Sequence, residues 1–92
     1  MTKAEIVDIV AEGTGLTKTE TQAVIEGFLA TVGYALRQGD RVDLRGFGNF
    51  KVVDRDTRST FNPVTKEPVV IPAHRAPLFK PSKELKKFIN KK

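Results

Sequence analysis

Few residues in this chain can do covalent or metal chemistry. There is no cysteine, which excludes a disulfide framework, a thiolate zinc site and a cysteine nucleophile. The single histidine, His74, rules out a multi-histidine metal site and any credible Ser/His/Asp arrangement. The carboxylates Asp54 and Asp56 stand in a polar stretch without the apolar surroundings a general acid needs. Gly46-Phe47-Gly48 is too short for a dinucleotide fingerprint and follows no βαβ pattern. What remains is positive charge: 16 Lys and Arg against 11 Asp and Glu, a net of +5. Residues 1–40 carry three basic and six acidic residues, whereas residues 41–92 carry thirteen and five. The split fits a scaffold half and a half that faces a polyanion, or equally basic residues that simply solubilise the second half. No enzyme, cofactor or metal is expected.

Ninety-two residues suffice for one small domain, spanning 1–92. No apolar run approaches the roughly 18 residues that cross a bilayer, and no secretory h-region follows Met1. A soluble, cytoplasmic protein is the expectation. Two helices open the chain, each with a capping box: Thr2-Lys3-Ala4-Glu5 and Thr17-Lys18-Thr19-Glu20. Ile6, Val7, Ile9 and Val10 lie on one side of the first helix, which ends near Gly13 or Gly15. Val24, Ile25, Phe28, Leu29, Val32, Ala35 and Leu36 follow at helical spacing until Gly39. The two form an antiparallel hairpin, a helical base over 1–39.

After Asp40 the period changes to two. Val42 and Leu44 alternate with charged residues, Gly46–Asn49 turns, and Phe50 and Val52 continue as a second strand. Val69-Val70-Ile71, closed by Pro72, reads as a third, placing the sheet at 41–53 and 69–80. Between them, residues 54–68 offer only Phe61 and Val64 as sizeable apolar groups, around an Asn62-Pro63 turn signal. A projecting two-stranded arm with its tip near Pro63 fits this stretch, and Pro68 demands an edge position. A last helix over 82–90 starts at Ser82. It buries Leu85, Phe88 and Ile89 and turns Lys83, Lys86 and Lys87 to other faces. The fold class is α+β: helical base, three-stranded antiparallel sheet, long β-ribbon arm.

Without the arm, about seventy residues remain, which is marginal for one core. Phe28, Leu29, Val32, Leu36, Phe47, Phe50 and Phe79 present more apolar surface than one sheet and one helix can cover. They read as the interface of a homodimer, two-fold dimers being the commonest small assembly.

Gly46-Phe47-Gly48-Asn49-Phe50, Asn62-Pro63-Val64-Thr65, Ile71-Pro72-Ala73, Phe79-Lys80-Pro81 and Leu85-Lys86, in this order and spacing, resemble the HU/IHF family. These are the bacterial histone-like nucleoid proteins and integration host factor, and the HU-type homodimer is the nearer pattern. The resemblance runs without a gap from Met1 to about Ile89. It implies an intertwined dimer whose two arms enter the minor groove of double-stranded DNA, with apolar wedges that kink the duplex. On that pattern Pro63 is the wedge and Asn62 bonds groove edges or sugar. Arg55 and Arg58 contact phosphate or the groove, and Lys80, Lys83 and Lys86 form a phosphate track. Lys3 and Arg75 are further candidates, and His74 reads as a surface or arm-base residue. The implied location is the nucleoid.

The tip departs from the family. Arms there commonly read Arg-Asn-Pro-x-Thr-Gly, whereas this one reads Phe61-Asn62-Pro63-Val64-Thr65-Lys66. Phe61 replaces a groove cation, and Lys66 replaces a glycine while returning a charge. Val53 and Ser59 fill positions that are often basic. Either Phe61 adds stacking or wedge area, or the weaker arm charge shifts recognition toward pre-bent, nicked or flexible DNA. The expected role is an architectural protein that bends and compacts DNA with low sequence specificity. The alternatives are a site-specific bender like integration host factor and a nucleoid interaction scaffold with weakened bending. RNA is a further ligand class, since phosphate affinity does not by itself distinguish polymers.

Overall fold

The computed structural model describes residues 1–91. Each opening helix starts where its capping box lies. In α1 (Lys3–Thr14) the Thr2 hydroxyl accepts from the Glu5 backbone N–H at 3.2 Å and donates to the Glu5 carboxylate at 3.3 Å. At the start of α2 (Lys18–Arg37) the box closes reciprocally. The Glu20 N–H donates to the Thr17 hydroxyl at 3.1 Å, and the Thr17 N–H donates to the Glu20 carboxylate at 3.0 Å. The Thr17 backbone N–H, and after it the Thr17 side-chain hydroxyl, hold the Glu20 carboxyl below the usual glutamate range. Gly15 ends α1 in the left-handed conformation, φ 78°, which a glycine adopts without a Cβ clash. The helices run antiparallel, with ion pairs Lys3–Glu26 (3.2 Å) and Asp8–Lys18 (3.3 Å), around Val7, Ala11 and Thr21.

The chain divides into two compact units, Met1–Ala35 and a second beginning at Leu36. In the second unit, β1 (Val42–Leu44), β2 (Gly48–Arg55) and β5 (His74–Pro81) form an antiparallel sheet in the order β1-β2-β5. The separate pair β3 (Arg58–Phe61) and β4 (Pro68–Ile71) makes the ribbon. α3 (Lys83–Asn90) follows, N-capped by Ser82.

The strand bounds correct the sequence expectation in two places. Val69-Val70-Ile71 belongs to the ribbon, where Val70 pairs with Ser59 and Ile71 with Arg58, rather than to the three-stranded sheet. Pro72 has no N–H to carry the ladder onward. The chain breaks there, and the Ala73 N–H donates to the Thr57 hydroxyl at 3.0 Å. The third sheet strand is β5, which holds Pro77 and Pro81; as an edge strand it tolerates both. Asp54 and Arg55 lie in the sheet, paired with Arg75 and His74, so the ribbon proper begins at Arg58.

Candidate nucleic-acid interface

The register of β2 with β5 sorts the sheet's side chains into two faces. Phe50, Val52 and Asp54 share one face with Phe79, Pro77 and Arg75. Lys51 and Arg55 lie on the other, with Lys80, Leu78 and His74. One face is apolar with a charged end, and the opposite face is basic. Lys51 is not among the candidates singled out from the sequence, although its even spacing from Arg55 places both on this face. Arg75, expected with the DNA-binding group, stands on the opposite face, where its guanidinium donates to the Arg37 carbonyl at 3.3 Å. The Lys3 ammonium is engaged with Glu26. With Gln22, the larger contributor, it holds the Glu26 carboxyl below its usual range.

Where sheet gives way to ribbon, an open cleft of about 630 Å³ is lined by Arg55, Asp56, Thr57, Arg58, Ile71 and His74. Both arm-base arginines therefore open onto one concavity. The His74 Nδ1–H donates to the Pro72 carbonyl at 2.9 Å, which fixes the ring at the cleft edge. Among the described residues, Lys51, Arg55, Arg58, Lys80, Lys83 and Lys86 make no ion pair, so their charge is available to an external anion. Ser82 joins α3 to the sheet. Its hydroxyl accepts from the Leu85 N–H at 3.0 Å and donates to the Gly46 carbonyl at 2.9 Å.

The ribbon buries nothing: every residue from Asp54 to Val70 is exposed. Its tip is nevertheless organised. The Asn62 side-chain oxygen accepts from the Val64 N–H at 2.9 Å and the Thr65 N–H at 3.4 Å. The Asn62 carbonyl accepts from the Lys66 N–H at 2.7 Å, and the Asn62 N–H donates to the Glu67 carbonyl at 3.0 Å. Asn62, expected to read the groove, thus spends its side-chain oxygen on the turn that presents Pro63 and the 88% exposed Val64. Lys66 holds φ 60°, the left-handed conformation that a glycine would take more easily.

Three of the aromatic residues expected at an interface, Phe47, Phe50 and Phe79, are close together beside and on the sheet. Phe79 packs against Phe50 at 4.8 Å and Phe47 at 5.5 Å between ring centroids. Phe28, Leu29, Phe47 and Phe79 are all exposed, and Val32, Leu36 and Phe50 are half-buried.

A capped helical hairpin, a small sheet with one basic face and a solvated ribbon arm are the parts of a protein that grips a polyanion. The model of the family "Bacterial DNA-binding protein" matches residues 1–90. DNA-binding protein HU of Thermus thermophilus is 46% identical over 91 residues, covering 99% of this chain and 94% of that protein. HU of Geobacillus stearothermophilus is 44% identical over 86 residues, covering 94% and 96%. Among solved structures, an Anabaena HU–DNA cocrystal structure superposes with a TM-score of 0.90 at 39% identity, over 100% of both chains. HU from Thermotoga maritima gives 0.70 at 29%, over 98% of this chain and 100% of that one. The chain belongs to the HU/IHF family of bacterial DNA-binding proteins, and its function is architectural DNA binding rather than catalysis.

Proposed function

We propose that the protein acts as a homodimer that bends double-stranded DNA, laying its two ribbon arms in the minor groove. The observation that carries this reading is an arm that buries nothing, yet has its tip held by hydrogen bonds centred on Asn62, with Pro63 near the apex. An ordered element without a core of its own has its partner outside the chain. Pro63 is the wedge: it unstacks a base step, and the resulting bend lets more of the body reach the flanking phosphates. Arg55 and Arg58 at the cleft, with Lys51, Lys80, Lys83 and Lys86, supply those phosphate contacts. Asn62 acts by building the tip.

The dimer rests on the apolar accounting. Among the described residues, Val7 and Ala11 are the only large or aliphatic hydrophobic residues that are buried, while Phe28, Leu29, Phe47 and Phe79 remain 48, 52, 48 and 38% exposed. A second copy covering Phe28, Leu29, Val32, Leu36, Phe47, Phe50 and Phe79 provides the missing core. Sequence preference is low, because most contacts fall on phosphate and the minor groove distinguishes bases poorly. Deformable duplex is favoured, since its bending costs less. The protein works on the nucleoid.

Energy transfer between dyes at the two ends of a duplex tests the reading. Binding should shorten the end-to-end distance, and Pro63→Ala should bind with much of that shortening lost. Binding without any bend, in parent and variant alike, would refute the wedge. Sedimentation that returns a monomer at the concentrations of the binding assay would refute the dimer.

A further inference from the structure

The ribbon's two faces differ in chemistry in a way the phosphate-binding account leaves unused. The register pairs Arg58 with Ile71, Ser59 with Val70, Thr60 with Val69 and Phe61 with Pro68. Cross-strand partners share a face, and successive residues alternate. One face therefore carries Arg58, and it is this arginine, with Ile71, that opens onto the basic cleft. The opposite face carries Ser59, Phe61, Pro68 and Val70 and holds no charge at all. Phe61 is 72% exposed and Val70 63% exposed there, and Phe61 directly precedes the turn that presents Pro63 and Val64.

We propose that this uncharged face, with Phe61 as its anchor, is a DNA-contacting surface that works by apolar contact and stacking on deoxyribose and on the base step opened beside Pro63. The inference rests on the minor-groove reading above and deepens it by assigning a charge-independent share of the affinity to named residues. Three observations select DNA as the occupant. The face is continuous along the chain with the Pro63 tip. The arm's cations are segregated onto the other face and the turn, at Arg58 and Lys66. The sugar walls of a widened minor groove are the apolar part of a duplex, and bases have π-faces on which a phenyl ring stacks without needing charge. Phe61 accordingly makes the arm's grip less sensitive to salt than a cation at the same position would.

The test is fluorescence anisotropy of a labelled duplex titrated with the full-length protein across a salt series. Parent, Phe61→Ala, Phe61→Arg, Val70→Ser and Pro63→Ala are compared, with thermal melting of each as a check on folding. Phe61→Ala should lose about tenfold in affinity at every salt concentration, leaving the slope of log affinity against log salt unchanged. Val70→Ser should lose affinity in the same salt-independent way. Phe61→Arg should steepen the slope by about 0.9, the signature of one added phosphate contact. A parent that binds while Phe61→Ala stays within about twofold of it, at unchanged melting temperature, would overturn this inference and leave the minor-groove reading standing. Loss of self-association in Phe61→Ala with DNA affinity intact would also overturn it, by assigning the face to a second copy. Failure of the parent itself to bind duplex would remove both readings.

Discussion

Alanine at Gly48 is the substitution whose consequence the geometry states most sharply. Gly48 is buried at the start of β2, paired on one side with Leu44 and on the other with Pro81. A Cβ built there would stand 2.5 Å from the Lys80 carbonyl oxygen and 2.7 and 2.8 Å from two carbons of the Phe79 ring. The carbonyl is backbone in the β2–β5 ladder and cannot swing aside. The ring is held between Phe47 and Phe50. Overpacking of this kind costs about 1–3 kcal/mol, and with backbone as the obstacle the upper part of that range, about 2–3 kcal/mol, is expected. At roughly 4–8 °C per kcal/mol for a chain of this size, the melting temperature should fall by roughly 10–20 °C. Phe79 and Lys80 both move in the process, so the proposed dimer face and the basic face should weaken together. The assay is thermal unfolding by circular dichroism at one fixed chain concentration, because association makes the midpoint concentration-dependent. Gly13→Ala is the control. It adds the same methyl group to a helix, where nothing lies within 4 Å, and should leave stability unchanged or raise it by up to about 1 kcal/mol. Equal melting temperatures for Gly48→Ala and the parent would refute the register of β2 with β5 on which the two-faced sheet depends.

Three further outcomes are expected. Lys66→Gly relieves a left-handed residue, worth about 1–2 kcal/mol, against a glycine entropy cost of about 0.5–1 kcal/mol. Hydrogen exchange at the Asn62 amide should therefore slow by roughly two- to fivefold, and faster exchange would contradict the turn geometry. Ser82→Ala removes both the cap of α3 and the bond to the Gly46 carbonyl, and should cost about 1–2 kcal/mol in urea unfolding. A change within about 0.3 kcal/mol would show that the cap is idle. The Thr17 bonds depress the folded-state pKa of Glu20, so their stabilisation is present above the unfolded-state value and lost as pH falls through the lowered folded one. Glu20→Gln should flatten that acid limb of the stability profile, and an unaltered limb would mean the carboxylate contributes nothing there.

Most of the fold could be read from local signals. The capping boxes at Thr2 and Thr17, the glycine after α1 and the serine before α3 act within a few residues of themselves, and each terminus lies where its chemistry puts it. Strand partners were less legible. Val69-Val70-Ile71 announces extended backbone but carries no information about which strand it joins, and the deciding feature is the missing N–H of Pro72 opposite Thr57. His74–Pro81 was hard to see as a strand because two prolines interrupt its apolar pattern; only an edge position accommodates them. The site divided along the same line. Residue type marked Arg55, Arg58 and Lys80 as cations, but the face each occupies depends on register. Register adds Lys51 to the basic face and sets Arg75 apart from it, while the turn's own hydrogen bonds engage the Asn62 oxygen at the tip. The surplus of apolar surface at Phe28, Phe47, Phe50 and Phe79 was readable from the sequence, and the folded chain adds how exposed each one stays.

The central claim is that phosphate neutralisation by the basic face and a bend set by Pro63 act together on double-stranded DNA. A salt-titrated gel shift on intact and nicked duplexes of equal length, with Pro63→Ala run beside the parent, tests it most directly. Log affinity should fall linearly with log salt at about −0.9 per phosphate contact. The nicked duplex should bind tighter because its bending costs less, and that preference should shrink in Pro63→Ala. Salt-independent binding, or a parent and Pro63→Ala that treat intact and nicked duplexes alike, would contradict the account.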